Sequence, residues 1–156
     1  MKVYLDTNVW CRPFDDLRQE RILDEADSLN KILLMNSADL LKIITSEAVI
    51  AEVSLIEDIE LIEDIEKKEQ VEFLINSSVA ELIQVDDQLI NLADQVESIC
   101  KLGDFMDALH IAVSLQSCTF LLTCDDELNK KNLQKLGFDI KIRNPVDFLK
   151  EMEVEQ

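Results

Sequence analysis

The sequence predicts an α/β fold: a three-layer sandwich in which a mainly parallel sheet lies between helices. Three observations carry that expectation. Short apolar runs of strand length recur at KVYL (2–5), LKII (41–44), LIQV (82–85), TFLLT (119–123) and DIKI (139–142). Longer segments with apolar residues at helical spacing separate them. Parallel strands linked by helices are buried on both faces, and so read as continuous apolar runs. The chain also holds only 2 Gly and 2 Pro among 156 residues, which favours regular structure over long loops. At this length a single domain over 1–156 is expected, and 47% hydrophobic residues can fill its core.

The elements follow in chain order. KVYL is a first buried strand running straight into Asp6. WCRPFDD breaks the pattern, because Pro13 fixes its own φ and disfavours helix just before it. From about Asp16 to Met35, residues Leu17, Ile22, Ala26, Leu29 and Leu33 recur at roughly helical spacing. Leu41 to Ile44 is a second strand. Ser46 is placed to cap a helix over 47–53. A tandem hexapeptide follows, LIEDIE at 55–60 and again at 61–66. A six-residue period fits neither helix nor strand, and two copies are too few for a solenoid. It reads as a charged, helix-forming surface segment, with a partner-binding acidic ridge as the alternative. Residues 71–77 continue as helix.

LIQV is a short strand or extended link, and Gln88 to Cys100 is a helix with Leu89, Leu92, Ala93, Val96 and Ile99 on one face. Gly103 breaks the chain, Asp104 can cap, and Met106 to Leu115 forms an apolar helix. TFLLT is a buried strand ending on Asp125 and Asp126. Residues 127–136 are helical until Gly137, 139–142 is a last strand, and Asn144-Pro145 opens a final helix.

Composition narrows the function. No run of 18 apolar residues exists, so no membrane-spanning helix is expected. The N-terminus lacks a long apolar stretch and a small-residue cleavage site, so no secretory signal is expected. The 4 Cys form no C-x-x-C pair and there is 1 His, which argues against structural zinc and for reduced thiols in a cytoplasmic protein. A net charge of −18 opposes strong, sequence-independent nucleic-acid binding, which needs Lys and Arg against phosphate. A divalent cation or a basic protein partner would relieve that opposition.

Four acids stand where an acid is awkward. Asp6 and Asp125 each end a buried strand, Glu52 lies within the apolar AVIAEV, and Asp107 lies between Met106 and Ala108. In parallel sheets ligands bind outside the carboxyl ends of the strands, which singles out Asp6 and Asp125. Each acid alone has an ordinary reading, as a turn residue, a solvated helix residue or a cap. Asp104 and Asp107 share a helix face near its N-terminus, where the dipole favours negative charge by ~0.3–1 kcal/mol. Two unit charges ~4 Å apart repel by ~4 kcal/mol at an effective dielectric near 20, so the dipole cannot hold several carboxylates together. A hard cation with oxygen ligands, Mg²⁺ or Mn²⁺, can.

The joint pattern of LDTN (5–8), SEAVIAEV (46–53), DALHIA (107–112) and LLTCD (121–125) resembles the PIN-domain family, a metal-dependent ribonuclease fold that includes the VapC-type toxins. The resemblance implies a parallel sheet sandwiched by helices, with acids gathered at its carboxyl edge. It implies catalytic roles for Asp6, Glu52, Asp107 and Asp125, metal ligation by Asp6, Asp107, Asp125 and Asp104, and site-edge roles for Thr7, Asn8 and Thr123. It further implies Mg²⁺ or Mn²⁺, cleavage of RNA to a 5′-phosphate and a 3′-hydroxyl, a basic antitoxin as a partner, and a homodimer. The WCRPFDDLRQERI segment and the LIEDIE tandem depart from the general pattern. RNA would reach the acids past local cations such as Arg12, Arg18, Arg21, Lys130 or Lys131. His110, alone in an apolar helix, reads as a packed or hydrogen-bonded core residue and stays outside the catalytic set. Two other functions compete. A haloacid-dehalogenase-type phosphatase needs a second Asp two residues after the first, and Asn8 stands there. A non-catalytic or antitoxin-silenced binding module would keep the fold without its chemistry.

Overall fold

The computed structural model describes residues 1–58 and 62–155. Five strands form one sheet: β1 (Lys2–Leu5), β2 (Lys42–Ser46), β3 (Glu81–Ile83), β4 (Phe120–Leu122) and β5 (Lys141–Arg143). Their spatial order is β3-β2-β1-β4-β5, and every neighbouring pair is parallel. The helices are α1 (Thr7–Cys11), α2 (Glu20–Ser37), α3 (Glu47–Ser54), α4 (Ile62–Ser78), α5 (Asp87–Cys100), α6 (Phe105–Ser117), α7 (Asp126–Asn129) and α8 (Pro145–Glu155).

The strand order decides where helices and ligands go. From β1 the chain steps outward to β2 and β3, then returns to the other side of β1 as β4. Right-handed crossovers put the helices of the outward steps on one face and those of the return on the other. Accordingly α2 packs on β2, α4 and α8, while α5 packs against α6 and α6 lies on β1 and β4. This is the expected three-layer sandwich. The direction of winding reverses between β1 and β4, so the crevice at their carboxyl ends is the natural binding position.

The core is the sheet plus what these helices press onto it. Val3, Tyr4, Leu5, Ile43, Ile44, Phe120, Leu121 and Leu122 are all buried, and so are Trp10, Leu29, Ile32 and Phe148 from the helices. Phe120 and Phe148 meet edge-on at 5.0 Å. Among the described residues no helix is long and apolar enough to cross a membrane.

Four sequence expectations need correction. The segment after Asp6 does not simply break: Asp6 caps α1, which runs into a 3₁₀ turn at Arg12–Phe14 that takes Pro13 in its first turn. The next helix starts at Glu20 rather than Asp16, because Asp16 turns its carboxylate onto the N–H and guanidinium of Arg18, leaving Leu17 exposed. In α5, Leu89, Ala93, Val96 and Cys100 form the buried stripe, and Ile99 is 50% exposed. At 3.6 residues per turn Ile99 sits roughly 100° away from Cys100. The helix expected over 127–136 is two pieces: Asn129 folds back onto the carbonyls of Thr123 and Asp125, and Asn132 caps a separate 3₁₀ turn at Leu133–Leu136. The LIEDIE tandem is helical again from Ile62, and its middle, residues 59–61, lies outside the described residues.

Candidate active site

Register builds the centre of the site. Leu5 pairs with Leu122 across β1 and β4, so the next residues of the two strands emerge side by side. Asp6 is 7% exposed, and its carboxylate accepts from the Thr7 N–H at 2.8 Å and the Thr123 hydroxyl at 2.8 Å. Asn8 donates to Asp6 at 3.3 Å and to Thr123 at 3.1 Å, while its carbonyl accepts from the Cys124 N–H at 3.0 Å. Thr7, Asn8 and Thr123 thus act as clamps that fix Asp6 between two strand ends. Burial pushes the Asp6 carboxyl up, and this outweighs the pull of His110 and Thr123 in the other direction.

Glu52 reaches the same place from α3. Ser46 ends β2 and caps α3, accepting from the Ala48 N–H at 3.2 Å, so the helix starts directly at the sheet's carboxyl edge. Glu52, one and a half turns later, is half-buried and accepts from the Thr7 hydroxyl at 3.0 Å. It also meets Nε2 of His110, a residue only 2% exposed on α6. His110 Nδ1 lies 2.7 Å from the Tyr4 hydroxyl, which is itself 2.7 Å from Ser46 Oγ. Burial pulls His110 down, but Glu52, Asp6 and Asp107 outweigh it and hold the ring above its ordinary value. Burial likewise raises Glu52, and the hydrogen bond and charge of His110 bring it net below its ordinary value. An imidazolium donating from both nitrogens satisfies all these contacts: Nε2–H to Glu52, Nδ1–H to Tyr4, and Tyr4 O–H on to Ser46.

Asp107 and Asp125 complete the ring. Asp104 caps α6 through the Met106 N–H at 2.9 Å, which sets Asp107 in the first turn of the helix. Asp125 caps α7, accepting from Glu127 N–H at 2.8 Å and Leu128 N–H at 3.3 Å, and its own N–H donates to Thr123. Asp6, Glu52, Asp107 and Asp125 all line one cleft of about 360 Å³. The Asp107 carboxyl is pushed up to about 7 by burial first, then by the charges of Asp104, Asp6 and Asp125. Burial and the three neighbouring carboxylates together outweigh the opposing pull of His110.

The donor set fits a hard divalent cation. One atom each of Asp6, Glu52 and His110 lie within 4.8 Å of one another. His110 Nε2 is committed to Glu52; Asp104, Asp107 and Asp125 fall outside that close group, although Asp107 and Asp125 line the same cleft.

Comparison with known proteins decides the family, since the sequence model of the PIN domain matches residues 3–133. The chain belongs to the PIN-domain family. Solved PIN-like structures share its fold at low identity. VapBC2 from Rickettsia felis, bound to a DNA fragment from its promoter, matches with a TM-score of 0.60 at 15% identity, over 92% of this chain and 98% of that one. FitAcB from Neisseria gonorrhoeae matches with a TM-score of 0.56 at 22% identity, over 92% and 97% of the two chains. FitAB bound to an IR36 DNA fragment matches with a TM-score of 0.59 at 22% identity, over 92% and 95%. No curated protein matches the chain. PIN domains are typically nucleases that use divalent metal ions.

This PIN domain also carries residues that sequence reasoning passed over. His110 is a hydrogen-bonded core residue as expected, yet it lies 3.6 Å from Asp6 and holds Glu52, so it borders the site. Its spacing of three from Asp107, one helical turn, was the available signal. Lys67 had none: it comes from α4 and pairs with Asp15 at 2.6 Å, on the wall of the cleft. Arg12 joins the same wall, bonded to Asp15 at 2.9 Å and to Glu25, which is 1% exposed, at 3.3 Å. Arg21 reaches Glu25 and Asp126, and Asn144 donates to Glu25 at 2.7 Å. The RPFDD segment is therefore a strap that ties α1, α2 and α4 beside the acids. Of the other expected cations, Arg18 pairs with Asp16 and Lys130 with Glu127.

Proposed function

We propose that the chain is a metal-dependent endoribonuclease, and the toxin of a toxin–antitoxin pair. The observation that carries this reading is the convergence of Asp6, Glu52, Asp107 and Asp125 on one cleft, where Asp107 is pushed up to about 7. In this reading Asp6, Asp107 and Asp125 hold Mg²⁺ or Mn²⁺, and Asp104 adds charge at the outer edge of the group. A bound divalent cation would make a water acidic enough to attack and would neutralise charge gathering on the phosphate. Glu52 orients the attacking water, and His110 holds Glu52 in place through Nε2. Thr7, Asn8 and Thr123 keep Asp6 from moving toward or away from its partners. Arg12 and Lys67 on the cleft wall offset the acids where RNA approaches.

The partner half of the proposal rests on charge and likeness. A chain of net charge −18 invites a basic protein, and the similar structures named VapBC2 and FitAB support an antitoxin in that role. A basic segment laid in the acidic cleft would silence it. RNA as substrate and a second copy of the chain as partner belong to the same proposal.

The test is RNA cleavage in Mn²⁺ by wild type, by Asp6→Asn and by wild type in EDTA. Cleavage confined to the first supports the reading, and a loss of about 10²-fold or more in Asp6→Asn is expected when a preorganised charge is removed. Equal cleavage in all three overturns it.

A further inference from the structure

Beside the acidic cleft lies a second one of about 280 Å³, and Asp107 and Asp125 line both. Its other wall carries Lys101 and Lys131. Among the described residues, only Lys31, Lys101, Lys131 and Lys135 of the basic side chains make no ion pair, although acids outnumber bases by 33 to 15. Two of those four meet on this cleft.

Their freedom follows from how the neighbouring acids are used. Glu97 accepts from the backbone N–H groups of Leu102 at 3.2 Å and Gly103 at 2.9 Å. Glu127 pairs with Lys130, and Asp126 with Arg21. None of these three acids pairs with Lys101 or Lys131, and the acids that share their cleft are Asp107, Asp125 and Glu127. The backbone at both lysines is fixed. Lys101 ends α5 at φ 52°, a left-handed position that glycine would fill at lower cost, with its N–H on the Glu97 carbonyl at 2.9 Å. Lys131 follows α7, its N–H on the Leu128 carbonyl at 3.0 Å. Its charge acts on the thiol of Cys100, the residue before Lys101, and both lysines line the same cleft. Lys131 lines a third cleft as well, together with Lys130, Lys141 and Arg143. The opposite wall differs: Arg12 and Lys67 there share Asp15.

We propose that Lys101 and Lys131 form a phosphate-binding lip that guides single-stranded RNA away from the four acids toward β5. This rests on the nuclease reading above and gives the substrate path a side. Uncommitted ammonium groups take up phosphate without first breaking an ion pair, and each contact releases counterions from the strand. The backbone therefore crosses Asp107 and Asp125, contacts Lys101 and Lys131, and continues over Lys141 and Arg143.

Binding of a short fluorescent single-stranded RNA, measured by anisotropy across a salt series, tests the lip. Calcium replaces magnesium so that turnover does not interfere. The variant is Lys101→Gly with Lys131→Gln, because glycine accepts the left-handed turn and the fold is kept. Lys31→Ala with Lys150→Ala, on α2 and α8, removes the same charge elsewhere. The lip variant should lower the slope of log K against log salt by about 1.4, two contacts at ~0.7 each, and weaken binding roughly tenfold at physiological salt. The control pair should change the slope little. Equal slopes and affinities for the two variants overturn the lip; if wild type still cleaves RNA, the nuclease reading survives. A wild type that neither binds nor cleaves RNA overturns both.

Discussion

Replacing Asp107 by Asn should make the metal-free protein more stable, and more so as pH rises. Asp107 is held at about 7 against an ordinary value of 3.8 by burial and by Asp104, Asp6 and Asp125. The folded protein therefore binds a proton there that the unfolded chain has already lost. Below the ordinary value both states are protonated and the group contributes nothing. Above it the unfolded state is increasingly the ionised one, so stability falls, and the penalty is complete only above about 7. At ~1.36 kcal/mol per pH unit, a rise from 3.8 to about 7 has a ceiling of ~4 kcal/mol. Asp107 is only partly buried, and screening by water reduces that to about 2 kcal/mol. For a chain of this size that corresponds to roughly 4–8 °C in Tm. Urea titrations of wild type and Asp107→Asn in EDTA between pH 5 and 8.5 measure it. The variant should be the more stable protein at pH 8, with the gap narrowing toward pH 5. Added Mn²⁺ should recover the difference in wild type and do nothing for the variant. Parallel stability curves for the two proteins across this range would show that no charge surplus presses on Asp107, and the metal argument would lose its physical basis.

Two further substitutions probe the supports of the site. Tyr4→Phe removes the hydroxyl that joins Ser46 to His110 and leaves a buried ring nitrogen without a partner, so it should cost about 1–3 kcal/mol in chemical denaturation; a cost below a few tenths would mean that His110 does not need Tyr4. Glu25→Gln leaves Arg12 and Arg21 facing an uncharged amide at a position 1% exposed, while Asp15 and Asp126 still hold the two guanidinium groups, and should destabilise by about 1–3 kcal/mol. The same variant should raise the susceptibility of the 12–20 segment to limited proteolysis, and an unchanged digestion pattern would reject its role as a strap.

What could be read from the sequence was whatever is encoded locally or by strand ends. Short apolar runs gave all five strands within two or three residues, because burial on both faces demands continuous apolar side chains. The four acids could be found because each interrupts such a run or follows one. That Asp6 and Asp125 leave the sheet side by side depends on the Leu5–Leu122 register, and the approach of Glu52 and Asp107 on how α3 and α6 sit on it, which only the strand order supplies. Residues that act through pairs distant in sequence gave no sign. Lys67 matters because α4 brings it to Asp15, 52 residues earlier, and Tyr4 matters because His110 sits on the facing helix 106 residues later. Tyr4 in VYLDTN looks like one more apolar strand residue, since a buried tyrosine and a buried phenylalanine are read alike until the partner of the hydroxyl is known.

The helix expected over 127–136 failed for a related reason. Its composition favours helix, but Asn129 turns back to the Thr123 and Asp125 carbonyls, the segment that carries the fourth acid. A continuous helix there would keep the Asn129 amide on its own surface. Breaking it at Lys130 anchors the loop from Thr123 to Asp125 from below while Thr123 holds Asp6 from the side. The break also delivers Lys131 to the rim of the cleft instead of to the next turn of a helix. Local preference is overridden here where the chain brings Asp125 and Lys131 to one groove, and a departure of that kind is expected at a functional edge.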